Sequence, residues 1–201
     1  MWAGYSRLMG VDEEGTHERL KVHLRELVDP KIREHRGRIV KNTGDGMLAE
    51  FSSVVDAVRC AAELQRAMLD REAGTPEDRR IRFRIGINLG DVIVEDHDIF
   101  GDGVNVAARL EALSDPGGLC ISLVVRDQVS DKLAYAFEDL GERSVKNIPR
   151  PVRVFALFQD CRTVLVEGVQ STGVRTAAAP HYAALTGRVA PACGRSDHRL
   201  K

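Results

Sequence analysis

The stretch IRFRIGINL at residues 81–89 sets Ile81, Phe83, Ile85, Ile87 and Leu89 at strict period two. A helix would scatter these side chains around its circumference, whereas a strand puts all five on one face, so the segment predicts a sheet strand covered on one side. The cover has to come from elsewhere in the chain. From Thr16 to Glu34, Leu20, Leu24, Leu27, Val28 and Ile32 recur at helical spacing, with Gly37 just beyond as a stop. A second helix is expected from Ser53 to about Leu69, packed by Val54, Val58, Ala61, Ala62 and Leu64. Helices interleaved with strands in this mixed order imply α+β layering.

The remaining elements follow from turn chemistry and short apolar runs. Arg38 to Lys41 and Met47 to Phe51 flank an Asp-Gly turn and predict a hairpin. Gly90 opens a partner strand, GDVIVED, and GVNVAARLEAL reads as a short helix. DPGG at 115–118 is a turn, LCISLVV at 119–125 a strand, and AYAFEDL and PVRVFAL are closing antiparallel strands. After Phe158 the chain becomes rich in Ala, Gly, Pro, Ser and Thr, without sustained period, and carries six Lys/Arg against three Asp/Glu. One domain over 1–158 and a disordered tail over 159–201 are therefore expected.

Bulk composition removes several classes of function. A formal net charge of -1 over 201 residues gives no general reason to expect nucleic acid or an anionic membrane as partner. Cysteines at 60, 120, 161 and 193 show neither CxxC nor Cys/His spacing, so no zinc site or disulfide framework is suggested, and a reducing cytoplasm fits. The longest apolar runs are strand-length, too short to cross a membrane.

Two places carry candidate chemistry. In KNTGDGMLAEF at 41–51, Asp45 sits in the hairpin turn, where an aspartate is commonly present for the turn alone. In DIFGDGVNVAARLE at 98–111, Asn105 and Arg109 are four apart on a helix and share one face. An amide beside a guanidinium suits phosphate or sugar oxygens, because Arg presents a fixed fork of donors. The plainer readings are a solvated helix face and, for Gly101 to Gly103, only a loop before the helix.

These residues resemble a known family. GYSRLM at 4–9, KNTGDG at 41–46 and DIFGDGVNVAARLE at 98–111 are similar, in order and spacing, to motifs of the class III nucleotide cyclase catalytic domain in its bacterial branch, over residues 2 to 158. The resemblance implies a ferredoxin-like α+β fold and a head-to-tail homodimer, or a heterodimer with another cyclase domain, with active sites between subunits. It implies an adenylate cyclase, a lyase of signal transduction that forms cyclic AMP and pyrophosphate by attack of the ribose 3′-hydroxyl of ATP on the α-phosphate. Two divalent cations, Mg2+ or Mn2+, assist.

Carried over by position, the resemblance makes Asp45 a metal ligand, Lys41 and Asp98 the adenine-reading pair, Asn105 the ribose-orienting group and Arg109 the transition-state stabiliser. Lys146 matches a lysine against the terminal phosphates, with Arg143 and Arg150 as neighbouring candidates. Gly4, Tyr5 and Ser6 match a loop whose backbone N–H groups hold the β- and γ-phosphates. One position departs: Met1 stands where the family places its first metal aspartate, and the central strand that would precede it, the first of the fold, is missing from the sequence. A thioether is no ligand for Mg2+. The expectation is a chain at least about 100-fold slower than one extended upstream, prone to aggregate through open sheet edges, unless Asp12, Glu13 or Asp91 supplies the carboxylate. The alternative function is a catalytically impaired remnant or dimerising partner that contributes only the nucleotide-recognition half-site. A diguanylate cyclase is disfavoured by the lack of a GGDEF-type motif.

Overall fold

The computed structural model describes residues 12–42, 46–95, 98–145 and 150–157, the backbone of 182–190, and residues 8, 10 and 148. Asp12 starts the first helix, α1 (Glu13–His23), its carboxylate accepting from the Gly15 amide at 2.9 Å. The helix then passes through a wider π-helical turn (Leu24–Val28) into α2 (Asp29–Glu34). Pro30 explains the change of pitch, because its ring crowds the preceding turn and it has no N–H to give. The single apolar stripe expected over 16–34 survives, with Leu20, Leu27, Val28 and Ile32 buried.

The expected hairpin forms from β1 (Gly37–Asn42) and β2 (Gly46–Phe51), and α3 (Val54–Arg71) follows, capped by Ser53. The period-two segment becomes β3 (Arg82–Gly90), with Phe83, Ile85 and Ile87 in the main core against the first three helices. Gln65 of α3 donates to the carbonyls of Phe83 and Gly118, fastening the helix to the sheet from beneath. Next come β4 (Ile93–Glu95), β5 (Asp98–Phe100) and α4 (Asp102–Leu113). The strand predicted to start at Gly90 as a partner of β3 is β4, and it pairs with β5 instead, in a separate two-stranded ribbon.

LCISLVV also departs from expectation. Only β6 (Leu119–Ser122) is extended, and Leu123–Val129 forms helix α5. An apolar run has no visible period, but burial does: Val125 and Val129, four apart, are fully buried while Val124 is 52% exposed. β7 (Glu138–Arg143) and β8 (Val152–Leu157) then close the sheet as an antiparallel pair.

The largest difference lies in the C-terminal region. Residues Tyr182–Ala190, expected to lack regular structure, form strand β9 in the middle of a seven-stranded sheet of order β1-β2-β9-β3-β6-β8-β7. β9 runs antiparallel to both neighbours, Leu185 standing opposite Ala49 and Ile87, and Val189 opposite Phe83. A strand from later in the chain thus lies between β2 and β3 and pairs with the facing edge of each. The physical reason is tertiary. β2 and β3 carry buried apolar residues on one face and backbone N–H and C=O groups along their facing edges, and these groups need partners. A segment with weak alternation of its own gains that pairing on both sides. The α+β class stands, with α1 to α3 and α5 on one face and α4 on the other. The rest of 159–201, and the tip of the β1–β2 hairpin, lie outside the described residues.

Candidate active site

Lys41 lies near the end of β1, where the register with β2 shifts between Ile39 and Lys41. Such an irregularity re-aims the side chains that follow it. Its ammonium reaches Asp98, at the start of β5, with Nζ 2.7 Å from Oδ2. The other carboxylate oxygen accepts from the Ile99 amide at 2.8 Å. Ile99 is buried beside Leu48 and Ala107, so the strand that carries Asp98 is pinned to the core by its next residue. The hydrogen bond from Lys41 holds the Asp98 carboxyl below its usual pKa, and the Ile99 amide acts in the same direction. Asp98 is therefore a charged acceptor at neutral pH, and its ion pair is lost only as pH falls through that depressed value.

Phe100, two residues on, was not singled out in the sequence. Its ring lies under Lys41, with Nζ 5.5 Å from the centroid. The signal that would have found it is the alternation of Asp-Ile-Phe: when Ile99 turns inward, Asp98 and Phe100 share the outward face.

Glycine geometry joins β5 to α4. Gly101 has φ 138°, which only glycine adopts readily, and its carbonyl accepts from the amides of Val104 and Asn105 to open the helix. Gly103 packs on Gly90, a Cβ on either meeting the other's Cα within about 3.3 Å, and the Gly103 carbonyl accepts from the Asn88 side chain. At Gly86 a Cβ would lie 2.3 Å from the Ala107 carbonyl, so the helix rests directly on the strand. The glycines of GDGV thus have structural reasons of their own. They set helix α4 so that Ala107, Leu110 and Glu111 are buried, while Asn105 is exposed and Arg109 is half-buried. Among the described residues, neither the side-chain amide of Asn105 nor the Arg109 guanidinium is engaged in a hydrogen bond or ion pair. The donors of both side chains are therefore open to solvent or to a ligand.

Asp45, Lys146, Gly4, Tyr5, Ser6 and Met1 lie outside the described residues. Among the others, Asp12 is spent on its helix cap. Glu34, His35 and Glu63 offer ligand atoms within 4.8 Å of one another. Lys31 already sits between the two carboxylates at 2.9 Å from each, so this group is an ion-pair network joining α2 to α3. No helix among the described residues is long and apolar enough to cross a membrane.

Comparison with known proteins gives concordant results. Residues 17–159 match the family described as the adenylate and guanylate cyclase catalytic domain. A Rhizobium meliloti protein named Putative adenylate cyclase 3 is 53% identical over 152 residues, 76% of this chain. An uncharacterized Mycobacterium tuberculosis protein is 34% identical over 139 residues, 67% of this chain. The chain spans 26% of the length of the first relative and 46% of the second. The crystal structure of an adenylate/guanylate cyclase/hydrolase from Silicibacter pomeroyi superposes with a TM-score of 0.75 at 54% identity, covering 79% of this chain and 92% of the other.

Proposed function

This chain belongs to the adenylate and guanylate cyclase catalytic domain family, and on that premise we propose that it forms cyclic AMP and pyrophosphate from ATP. The observation that carries the choice of ATP is the Lys41–Asp98 pair at 2.7 Å. A donor beside an ionised acceptor, half-exposed and neutral as a pair, matches the edge of adenine, whose ring N1 accepts and whose amino group donates. Guanine presents the reverse, a ring N–H donor beside a carbonyl acceptor. Held in the position adenine takes, it would leave both groups wrongly paired, a mismatch that binding sites reject strongly.

In this reading the base docks against β1 and β5, and the sugar and phosphates extend along α4. Asn105 orients the ribose so that its 3′-hydroxyl faces the α-phosphate, and Arg109 donates to the phosphate oxygens on which charge grows as the new P–O bond forms and pyrophosphate leaves. Lys146 and the backbone of Gly4, Tyr5 and Ser6 hold the terminal phosphates. Asp45, carried between the described ends of β1 and β2 where Asn42 faces Met47, has the hard carboxylate oxygens that Mg2+ or Mn2+ takes. Two such ions would supply neutralisation of the triphosphate and a more acidic hydroxyl. The half-site of Lys41, Asp98, Asn105 and Arg109 is completed by the metal half-site of a second subunit, in a homodimer or with another cyclase domain. An ATP-consuming site of this kind fits a cytoplasmic location.

The test is an exchange of the pair. Lys41→Glu with Asp98→Cys replaces the donor by an acceptor and the charged acceptor by a weak donor, and it is expected to move the preference from ATP toward GTP by at least about tenfold, the scale of one hydrogen bond to a charged group. Competition of the two nucleotides in one reaction, with both cyclic products quantified, measures the ratio directly. A ratio unmoved by the exchange would remove the assignment.

A further inference from the structure

We propose that Phe100 is a positioning residue for nucleotide choice: its ring holds the Lys41 ammonium at the point from which that lysine meets the base. The inference rests on the reading of Lys41 and Asp98 as the base-recognising pair.

The geometry begins with Ile99, 1% exposed and packed in the small cluster with Leu48 and Ala107. With Ile99 turned inward, its neighbours Asp98 and Phe100 leave the opposite face of β5 side by side. Lys41 arrives from β1 and meets carboxylate and ring on one surface, 2.7 Å from Asp98 Oδ2 and 5.5 Å from the ring centroid. The ring itself remains 46% exposed, and its cross-strand partner Ile93 is 61% exposed. Core packing therefore does not account for a large aromatic residue here, since Ile99 already anchors the strand.

A lysine side chain has four rotatable bonds, and a single ion pair leaves its ammonium free to move around the carboxylate. Two features restrict it in this site. Asp98 Oδ1 is occupied by the Ile99 amide, which leaves Oδ2 to the ammonium. The negative face of the Phe100 ring attracts the cation from a second direction. The ammonium is then located by two contacts from adjacent positions of one strand. Nucleotide choice depends on where a donor stands relative to the purine edge, so loosening that position blurs the distinction between a base that accepts there and one that donates.

The experiment compares Phe100→Leu, Phe100→Trp and Lys41→Met in the full chain. The readouts are the ATP-over-GTP ratio in competition, KM and kcat separately, and nucleotide binding by equilibrium dialysis, which does not require turnover. Phe100→Leu is expected to lower the ratio by about three- to fivefold, through weaker ATP binding and a raised KM rather than a changed kcat. Phe100→Trp, which keeps the ring face, is expected to retain the ratio. In a Lys41→Met background, Phe100→Leu is expected to do nothing further, because the group it positions is gone. An unchanged ratio in Phe100→Leu, with Lys41→Met lowering it, would overturn this inference alone. No effect of Lys41→Met would instead overturn the reading of the pair. Equal losses for ATP and GTP in Phe100→Leu would show a general structural role for the ring and overturn the inference too.

Discussion

Arg109→Ala is expected to lower kcat by about 100- to 1,000-fold, because a preorganised donor aimed at developing phosphate charge supplies about 3–4 kcal/mol of transition-state stabilisation. The fold should be untouched: the residue is half-buried, is unpaired among the described residues, and lies on the face of α4 away from buried Ala107 and Leu110. Melting temperature and ATP binding therefore separate a catalytic loss from an unfolded chain. Arg109 and Asp45 are expected to serve a site from different subunits, so Arg109→Ala mixed with Asp45→Ala should regain activity. With random dimer exchange half the dimers are mixed, and one of their two sites carries neither lesion, giving about a quarter of the starting activity. Mixed dimers without recovered activity would contradict a shared site.

Breaking β9 is the second large effect. Thr186 lies at the middle of the strand, opposite Leu48 on one side and Gly86 on the other. Proline is not accommodated within a central strand, since it removes a ladder hydrogen bond and crowds its neighbours, at a cost of about 3 kcal/mol or more. Leu185→Pro with Thr186→Pro covers both edges of the strand. For a chain of this size the loss corresponds to a fall of roughly 6–12 °C in melting temperature, whereas Thr186→Val, which keeps the backbone N–H and favours a strand, should change little. Equal melting temperatures for both variants would mean that residues 182–190 do not hold β2 and β3 together in solution.

Much of this molecule was legible in its sequence because local signals agreed with the final packing. Ile81 to Leu89 alternate, and β3 is a strand; Ser53 precedes an apolar-periodic run, and it caps α3. Lys41 and Asp98 are 57 positions apart in sequence, and no period connects them, so only the family resemblance foretold that they meet. The failures share a cause. The apolar run at 119–125 has no period to separate strand from helix, and the split at Ser122 follows from what β8 and the core can cover. β9 is the extreme case, its residues poor in strand formers and its conformation set by two flanking strands that need a partner. Phe100 was passed over because its neighbour's burial, which fixes the direction of the ring, is a property of the assembled core.

The most direct measurement is product identification from the purified 201-residue chain incubated with ATP and with GTP, in Mg2+ and in Mn2+, with cyclic nucleotides resolved by mass spectrometry. Cyclic AMP from ATP, in clear excess over cyclic GMP from GTP, is the expected result. Cyclic GMP in excess, or no cyclic nucleotide from either substrate with either metal, would contradict the assignment of this chain as an adenylate-forming catalytic domain.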